Sequence, residues 1–197
     1  SQVTQVIEDS EGDIWVATNN GIGCFHTRTQ QWTTLLSSQD QNRQEQNYVY
    51  ISLCESTPGT ILVGGYMSGM YRINKKDMLP QYFSPQKEGH TEIRPDKYIR
   101  SIYRDEQGTV WAGGYYNFKG MNFATGEIDH YQTEYPITVI TSKSDEELWV
   151  GTINGIYKFN KKLKEFKQEP LLTDMGAVNT IYQANNGLTY IGTHGSG

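Results

Sequence analysis

Residues 148–157 have the sequence LWVGTINGIY, in which a short apolar strand containing Trp149 leads through an Asn-Gly turn into a second apolar strand. Asn-Gly between alternating apolar residues is a strong local signal for a β-hairpin. An apolar strand at 137–140 and an acidic turn at 145–146 precede this stretch. Together these segments predict one unit of consecutive short antiparallel strands.

This unit recurs along the chain, which contains five copies. Each copy has an apolar strand, a glycine or acidic turn, and a second strand in which a large residue is followed two positions later by a small one. The large residues are Trp15, Leu62, Trp111, Trp149 and Tyr190, at intervals of 47, 49, 38 and 41 residues. A period near 40–45 residues with several short strands per repeat is typical of a β-propeller, which has four strands per blade.

The sequence therefore predicts an all-β fold, a partial β-propeller of four-stranded antiparallel blades. The blades are predicted at about 1–36, 48–84, 97–132 and 136–168, with the start of a fifth at about 177–197. Because the fifth unit contains only two of its strands, we expect about four and a half blades of a seven-bladed ring. A propeller hides its strand edges by closing the ring, so we expect further blades in the intact protein.

Glycines and other small residues recur at three places in the repeat. Turn glycines at positions 12, 59, 108 and 187 are expected to adopt the positive φ of a tight hairpin. Small residues at positions 17, 64, 113, 151 and 192 are expected to let the next blade approach closely. A further glycine, at positions 21, 69, 120 and 155, is expected to open the third strand.

The composition argues against several functional classes. The net charge is −5, the pI is about 5.4, and no basic stripe is present, so we expect no contact with nucleic acid. The short basic cluster at 161–164 is interpreted as a solvated hairpin end. No stretch has the length of a membrane span or the pattern of a signal peptide. Cys24 and Cys54 lie in predicted strands and are expected to be buried free thiols, with a disulfide left open.

The chain offers no clear catalytic, cofactor or metal site. Histidines occur at 26, 90, 130 and 194, a spacing unlike that of zinc ligands. Residues 65–69 differ from a nucleophile elbow, and residues 21–23 lack the third glycine of a dinucleotide site. The acidic run 145–147 is interpreted as a solvated turn. We therefore expect no catalytic residue, no cofactor and no bound metal.

The residue types in the loops favour ligand recognition over catalysis. In propellers, the loops between the second and third strands gather at one end of the central channel, and ligand sites are often lined by aromatic residues with a few polar groups. These loops are expected to be longer in blades two and three, at 65–68 and 114–119. The candidate ligand-binding residues are Asn20, Tyr66, Met67, Tyr115, Tyr116, Asn117, Asn154 and His194. Tyr and Asn suit the faces and hydroxyl groups of sugars, and they suit loop packing equally well.

Three stretches, at 8–22, 104–113 and 148–157, resemble the two-component regulator propeller repeat. The pattern of that family is a turn with Asp and Gly, then a Trp-apolar-Gly-Thr strand, and then a Gly before an apolar residue. The resemblance extends over five copies and essentially the whole chain. Leu62 and Tyr190 depart from the Trp of this pattern, and Ala17 departs from its Gly.

The resemblance implies that the chain is part of the periplasmic sensor region of a Bacteroides-type hybrid two-component histidine kinase that controls polysaccharide utilisation genes. The implied partners are an oligosaccharide ligand, the remaining propeller blades and the downstream ectodomain, and homodimerisation is a further expectation. The kinase domain lies outside this sequence, so the chain itself is not expected to be an enzyme. Two alternatives stay open: a non-sensing structural or dimerisation scaffold of the same ectodomain, and a propeller lyase or glycosidase.

Overall fold

The computed structural model describes residues 1–37, 49–83, 97–170, 176–184 and 186–194, and the fold in these ranges is all-β. The strands are β1 (Val3–Glu8), β2 (Ile14–Thr18), β3 (Gly21–His26), β4 (Gln31–Leu35), β5 (Val49–Thr57), β6 (Thr60–Tyr66), β7 (Gly69–Asn74), β8 (Leu79–Phe83), β9 (Ile99–Arg104), β10 (Val110–Gly114), β11 (Asn117–Asn122), β12 (Glu127–Gln132), β13 (Ile137–Ser142), β14 (Glu147–Thr152), β15 (Gly155–Asn160), β16 (Glu165–Gln168), β17 (Val178–Gln183) and β18 (Thr189–Thr193).

These strands form the blades that the repeat predicts. Four antiparallel sheets of four strands follow chain order, β1–β4, β5–β8, β9–β12 and β13–β16, and β17 and β18 form a fifth sheet of two strands. The first strand of each blade contacts the first strand of the next, from β1 through β5, β9 and β13 to β17. This arrangement places the first strands around a common axis, so the prediction of a partial propeller is confirmed. The number of blades in the intact ring stays a prediction.

The first strand of each blade is the free edge of its sheet, because it pairs only with the second strand. Backbone N–H groups on a buried edge need acceptors, and a side chain of the preceding blade supplies one for β5, for β9 and for β13. The bonds run from Leu53 N–H to Gln5 Oε1 (2.6 Å), from Ile102 N–H to Ser52 Oγ (2.8 Å) and from Ile140 N–H to Ser101 Oγ (2.9 Å). Each accepting residue directly follows the β-bulge in its own strand. Consecutive blades are therefore joined through their inner edges.

The small residues of the second strands permit this close approach, as predicted. A Cβ atom added to Gly64 would lie 2.4 Å from Ile99 Cγ2, and one added to Gly113 would lie 2.8 Å from Ile137 Cγ2. A Cβ atom added to Gly151 would likewise lie 2.9 Å from Val178 Cγ1. In each case the neighbour is the first strand of the next blade. The turn glycines at 12, 59, 108 and 187 adopt φ between 78° and 84°, which confirms their predicted role.

Apolar side chains fill the space between consecutive blades. Four clusters of buried residues lie at the four successive blade boundaries. Trp15 belongs to the first cluster and Trp111 to the third. Cys24 and Cys54 belong to different clusters and are both free, as predicted. Burial raises the pKa of Cys24 to about 12 and that of Cys54 to about 11, so both thiols stay protonated.

A buried lysine adds a polar link between blades one and two. Asp9 Oδ1 accepts hydrogen bonds from the N–H groups of Glu11 (2.9 Å) and Asp13 (3.0 Å), which fixes the turn between β1 and β2. Asp9 Oδ2 accepts bonds from Trp15 Nε1 (2.8 Å) and from Lys75 Nζ (2.7 Å), which comes from blade two. We call this contact the first lysine bridge. Burial disfavours ionisation of Asp9, but the bonds from Lys75 and Trp15 outweigh it and lower its pKa.

The same arrangement joins blades three and four. Asp105 accepts bonds from Thr109 N–H and Trp111 Nε1, both at 2.9 Å, and from Lys161 Nζ of blade four at 3.2 Å. Lys161 also donates to Gln107 Oε1 at 2.6 Å. In this second lysine bridge the Lys161 side chain is only 14% exposed. The interpretation of 161–164 as a solvated hairpin end is therefore wrong for Lys161, because the propeller folds it against a carboxylate that is distant in sequence.

The lysine bridge is absent at the equivalent positions of blades two and three. Ser56 occupies the place of the aspartate, and its hydroxyl donates to Thr60 O at 3.2 Å. Phe123 occupies the place of the lysine, and its ring lies 5.7 Å from that of Phe83. An aromatic contact thus replaces the ion pair at this boundary. In blade four, Lys143 takes the aspartate position and its ammonium lies 5.4 Å from the centre of the Trp149 ring.

One predicted glycine position is wrong. Gly21, Gly69 and Gly155 open their third strands with positive φ, but in blade three that place belongs to Asn117, the first residue of β11. Gly120 lies within β11 opposite Trp111, and a Cβ atom on it would meet the Trp111 ring at 2.8 Å. Its function is to leave room for the indole rather than to form the turn.

The close approach of blades predicts a large effect of added volume at Gly113. We expect Gly113→Val to lower the free energy of unfolding by about 1–3 kcal/mol or more, because the new methyl groups would overlap Ile137. Ala124→Val, at an exposed turn position, is the matched control and should change little. Urea unfolding measures both, and equal stability of the two variants would contradict this account of the boundary.

The first lysine bridge predicts that stability depends on pH. Lys75 Nζ, which bonds Asp9, also bonds Asp13 Oδ2 at 3.0 Å. Burial opposes ionisation of Asp13, but hydrogen bonds from Lys75 and His26 outweigh it and lower its pKa from 3.8 to about 2. A carboxylate with a depressed pKa stabilises the fold above its ordinary pKa and loses that contribution as the pH falls, here from about 4 to about 2. We expect the unfolding free energy to decline over this window.

Lys75→Met should destabilise the chain at neutral pH by about 3–5 kcal/mol, because buried carboxylates would lose their cation. It should also flatten the decline below about pH 4. Lys76→Met, at the exposed neighbouring lysine, is the control. Urea unfolding at stepwise lower pH measures this effect. If the unfolding free energy of Lys75→Met declined with falling pH as much as that of the wild type, the proposed role of the bridge would be wrong.

Candidate functional site

The loops between the second and third strands define one face of the propeller. They are two-residue hairpins at 19–20, 67–68, 115–116 and 153–154. Gly69 N–H donates to Lys97 O at 3.1 Å and Gly155 N–H to Gly176 O at 3.2 Å, so these hairpins lie beside the segments that enter the next blade. We call this side the hairpin face, and the opposite side, with the turns between first and second strands, the turn face.

The expectation of longer hairpin loops in blades two and three is wrong. The four loops have the same length, and the additional residues belong to strands. β6 continues to Tyr66, which still pairs with Val49, and β11 already begins at Asn117. Blades two and three therefore differ from the others in the side chains at the hairpins rather than in loop length.

Four tyrosines form a continuous row on the hairpin face across blades two and three. The ring centroids are 4.8 Å apart for Tyr66 and Tyr98, 4.9 Å for Tyr98 and Tyr115, and 5.9 Å for Tyr115 and Tyr116. We call this row the tyrosine ladder. Its rings meet edge to face or tilted, which is the favoured geometry of aromatic pairs.

The backbone fixes the centre of the tyrosine ladder. Tyr98 forms an isolated antiparallel bridge with Tyr66, immediately before β9 begins. Gly114 lies directly beneath, and a Cβ atom on it would come within 1.6 Å of the Tyr98 carbonyl oxygen. Only glycine fits at that crossing. The chain therefore passes tightly from blade two to blade three at this point, and the rings on either side of it are brought together.

The tyrosine ladder leaves much of its aromatic surface exposed. Tyr66 is 41% exposed, Tyr115 44% and Tyr116 54%, and the adjacent Met67 is 42% exposed. Contiguous exposed apolar surface on a folded domain often marks a binding site. The four rings carry phenol hydroxyls, so this surface suits a ligand with both apolar faces and hydroxyl groups.

The other predicted ligand residues lie on the hairpin face of other blades or beside the ladder. Asn117 is exposed at the start of β11 and pairs with Gln132. Asn20 is an exposed hairpin residue of blade one, and His194 follows β18 in blade five, where its N–H donates to Ala177 O at 2.8 Å. The described contacts do not join Asn20 or His194 to the tyrosine ladder. Their part in binding stays a prediction.

Asn154 belongs to a smaller polar group on blade four. Its side chain is hydrogen-bonded to Tyr135, which is also hydrogen-bonded to the exposed Glu134. The bond to Glu134 and its charge raise the pKa of Tyr135. Thr133 N–H donates to Tyr116 O at 3.2 Å, so this polar group follows the end of the tyrosine ladder along the chain.

Three potential metal ligands meet on the turn side of blade one. The donor atoms of Asp13, Cys24 and His26 all lie within 4.8 Å of one another, a group that sequence spacing hides because Asp13 lies in the turn before β2 and the other two lie in β3. The chemistry of the group disfavours a metal ion. Lys75 Nζ already bonds Asp13 Oδ2 at 3.0 Å, and the buried Cys24 thiol stays protonated. The internal ammonium thus takes the place that a metal cation would need.

A groove of about 410 Å³ opens on the turn face between blades three and four. Asp105, Asp129 and Lys161 contribute to its lining. These charges are engaged with each other, since Lys161 bonds Asp105 at 3.2 Å and Lys164 bonds Asp129 at 2.7 Å. The tyrosine ladder is the better candidate site, because Tyr66, Tyr115 and Tyr116 are between 41% and 54% exposed.

Comparison with known families finds a match to two parts of the chain. A family model described as two component regulator propeller matches residues 1–20 and 94–116. The two matches contain the first turns and second strands of blades one and three, with Asp9 and Trp15 in one and Asp105 and Trp111 in the other. No curated protein sequence matches the chain. Within the described ranges, no helix is long and apolar enough to cross a membrane.

Solved structures share the fold at low sequence identity. The extracellular domain assigned to the hybrid two component system BT3049 of B. thetaiotaomicron aligns with 100% of this chain at 21% identity and a TM-score of 0.75. The extracellular domain assigned to the one component system BT4673 of the same species aligns with 98% at 18% identity and a TM-score of 0.68. The WD40 repeats of RRP9 align with 91% at 8% identity and a TM-score of 0.68, over 53% of their own length.

The chain spans about a quarter of each bacterial structure, 26% of the first and 27% of the second. At these identities the likeness shows a common propeller fold.

Proposed function

We propose that this chain, which carries two component regulator propeller repeats, is part of the extracytoplasmic ligand-recognition propeller of a hybrid two-component histidine kinase. In this proposal the protein is periplasmic, the ligand is an oligosaccharide, and the parent kinase controls polysaccharide utilisation genes. The repeats at 1–20 and 94–116 and the fold shared with two Bacteroides extracellular domains support the general assignment. The chain contributes recognition, and catalysis belongs to the parent protein.

The observation that carries the proposal is the exposed tyrosine ladder. Three of its rings are between 41% and 54% exposed on a face formed by short hairpins of a rigid scaffold. Aromatic rings bind the apolar C–H faces of sugars, and phenol hydroxyls exchange hydrogen bonds with sugar hydroxyls. Rings held by mutual packing lose little conformational freedom on binding, which favours affinity.

The charge distribution favours recognition over catalysis. General acid–base chemistry needs a titratable group held against the reacting atoms. The ladder itself offers uncharged phenols, and the carboxylates Asp9, Asp13 and Asp105 lie on the turn face, bonded to Lys75 or Lys161. These three carboxylates therefore give the lyase or glycosidase alternative no support.

The scaffold alternative uses the same surface differently. An exposed aromatic patch is also suited to contact with a second copy or a neighbouring domain. In that case the tyrosines would pack against protein, and removing them would change assembly without changing the response to a glycan. The experiment below separates the two functions.

We expect Tyr66→Ala, Tyr115→Ala and Tyr116→Ala, combined in the intact ectodomain, to weaken oligosaccharide binding by at least about tenfold. Each exposed ring is expected to contribute on the order of 1 kcal/mol, and about 1.4 kcal/mol corresponds to tenfold. A glycan array followed by titration calorimetry measures this. Trp32→Ala, which removes a ring that is 60% exposed on the outer strand of blade one, is the matched control.

Gene induction by the full-length kinase distinguishes a sensing surface from a packing surface. If the triple variant folds, shows unaltered induction by its polysaccharide and loses only self-association, the ladder is a packing surface and the sensing proposal is wrong. If no glycan binds the wild-type ectodomain while induction is intact, direct sugar recognition by the propeller is also wrong.

A further inference from the structure

The rings of the tyrosine ladder cannot act as a flat platform. The planes of Tyr66 and Tyr98 are inclined by 69°, those of Tyr98 and Tyr115 by 50°, and those of Tyr115 and Tyr116 by 75°. No two neighbouring rings are close to parallel. A ligand that touches several of them must therefore present its apolar faces in different directions along its length.

The shape of a glycan chain determines whether it can do this. In a ribbon-like chain such as β-1,4-glucan, successive sugar units keep their broad faces nearly in one plane, so the chain needs coplanar rings. In a helical chain such as α-1,4-glucan, the broad faces rotate from one unit to the next. Tilted rings at short steps match the second kind of chain, because each ring can meet the face of a different sugar unit.

Tyr98 is placed to set this tilt. It is half-buried and lies between Tyr66 and Tyr115, with its ring centroid 4.8 Å from one and 4.9 Å from the other. Its backbone is held by the bridge to Tyr66 and by the tight crossing above Gly114. Because the backbone is held separately, the ring of Tyr98 can be removed while the chain path is kept. Tyr66 and Tyr115 would then lose the ring that separates and inclines them.

We infer that the tyrosine ladder selects curved glycan chains over flat ribbons, and that Tyr98 is the positioning residue for this selectivity. The inference rests on the proposed function, since it requires that the ladder binds a glycan. It adds the class of chain and the residue that distinguishes it.

The test compares hexasaccharides that differ only in linkage. The intact ectodomain is titrated with α-1,4-linked and β-1,4-linked glucose hexamers, alongside a broad glycan array. We expect the wild type to bind the α-1,4-linked hexamer about tenfold or more tightly than the β-1,4-linked one. Tyr98→Ala should reduce that ratio to near one, and Tyr98→Phe, which keeps the ring, should retain it.

A merely structural role of Tyr98 would weaken both members of a pair equally and leave their ratio unchanged, which would overturn its assignment as the positioning residue. Equal or tighter binding of the flat chain by the wild type would overturn the selectivity while leaving glycan recognition in place. Binding of no glycan on the array would overturn the proposed function and this inference together. Trp32→Ala again serves as the control and should preserve both affinity and ratio.

Discussion

The inner edge of each sheet is the constraint on which the propeller depends. The first strand of a blade has backbone N–H groups that its own sheet does not satisfy, and an unsatisfied buried N–H costs about 1–3 kcal/mol. Gln5, Ser52 and Ser101 each supply the acceptor for the following blade. The glycines of the second strands then allow the blades to come close enough for these bonds to form. Blades two, three and four are not complete by themselves, because an N–H group on the edge of each is satisfied only when the preceding blade is in place.

This dependence explains how a binding surface arises without a dedicated loop. The hairpins have two residues each, so they offer little chain with which to build a site. The tyrosine ladder forms because adjacent blades bring hairpin residues and a crossing segment within ring contact of one another. Tyr66 comes from blade two, Tyr115 and Tyr116 from blade three, and Tyr98 from the segment between them. The surface is thus a property of the blade boundary rather than of either blade.

Features that depend on local pattern could be predicted from the sequence. The strands follow from alternating apolar residues, and the turn glycines follow from their place between two strands. Tyr66, Tyr115 and Tyr116 can be predicted as site residues because they flank predicted turns. Tyr98 cannot be predicted in this way, since its role depends on how segment 97–98 crosses Gly114. The predicted role of Gly120 is wrong because a glycine close to a turn has the same local pattern as one that forms the turn, whereas the register puts Gly120 opposite Trp111.

The lysine bridges could not be predicted from the spacing of residues in the sequence. Their partners are far apart, with 66 positions from Asp9 to Lys75 and 56 from Asp105 to Lys161. A signal is nevertheless present. Asp precedes Trp by six positions in blades one and three, and Asn-Lys-Lys follows the third strand in blades two and four, at 74–76 and 160–162. These two local patterns alternate along the chain, and only the fold shows that they meet.

That alternation has a consequence for how such a protein can change its number of blades. Removing blade two alone would set the carboxylate of Asp9 against the ring of Phe123 and bury an unpaired charge. Removing blades two and three together would set Asp9 against Lys161 and keep the charges matched. The unit that can be duplicated, deleted or exchanged with least damage is therefore a pair of blades, so an ancestor of this ring could gain or lose repeats two at a time more readily than singly.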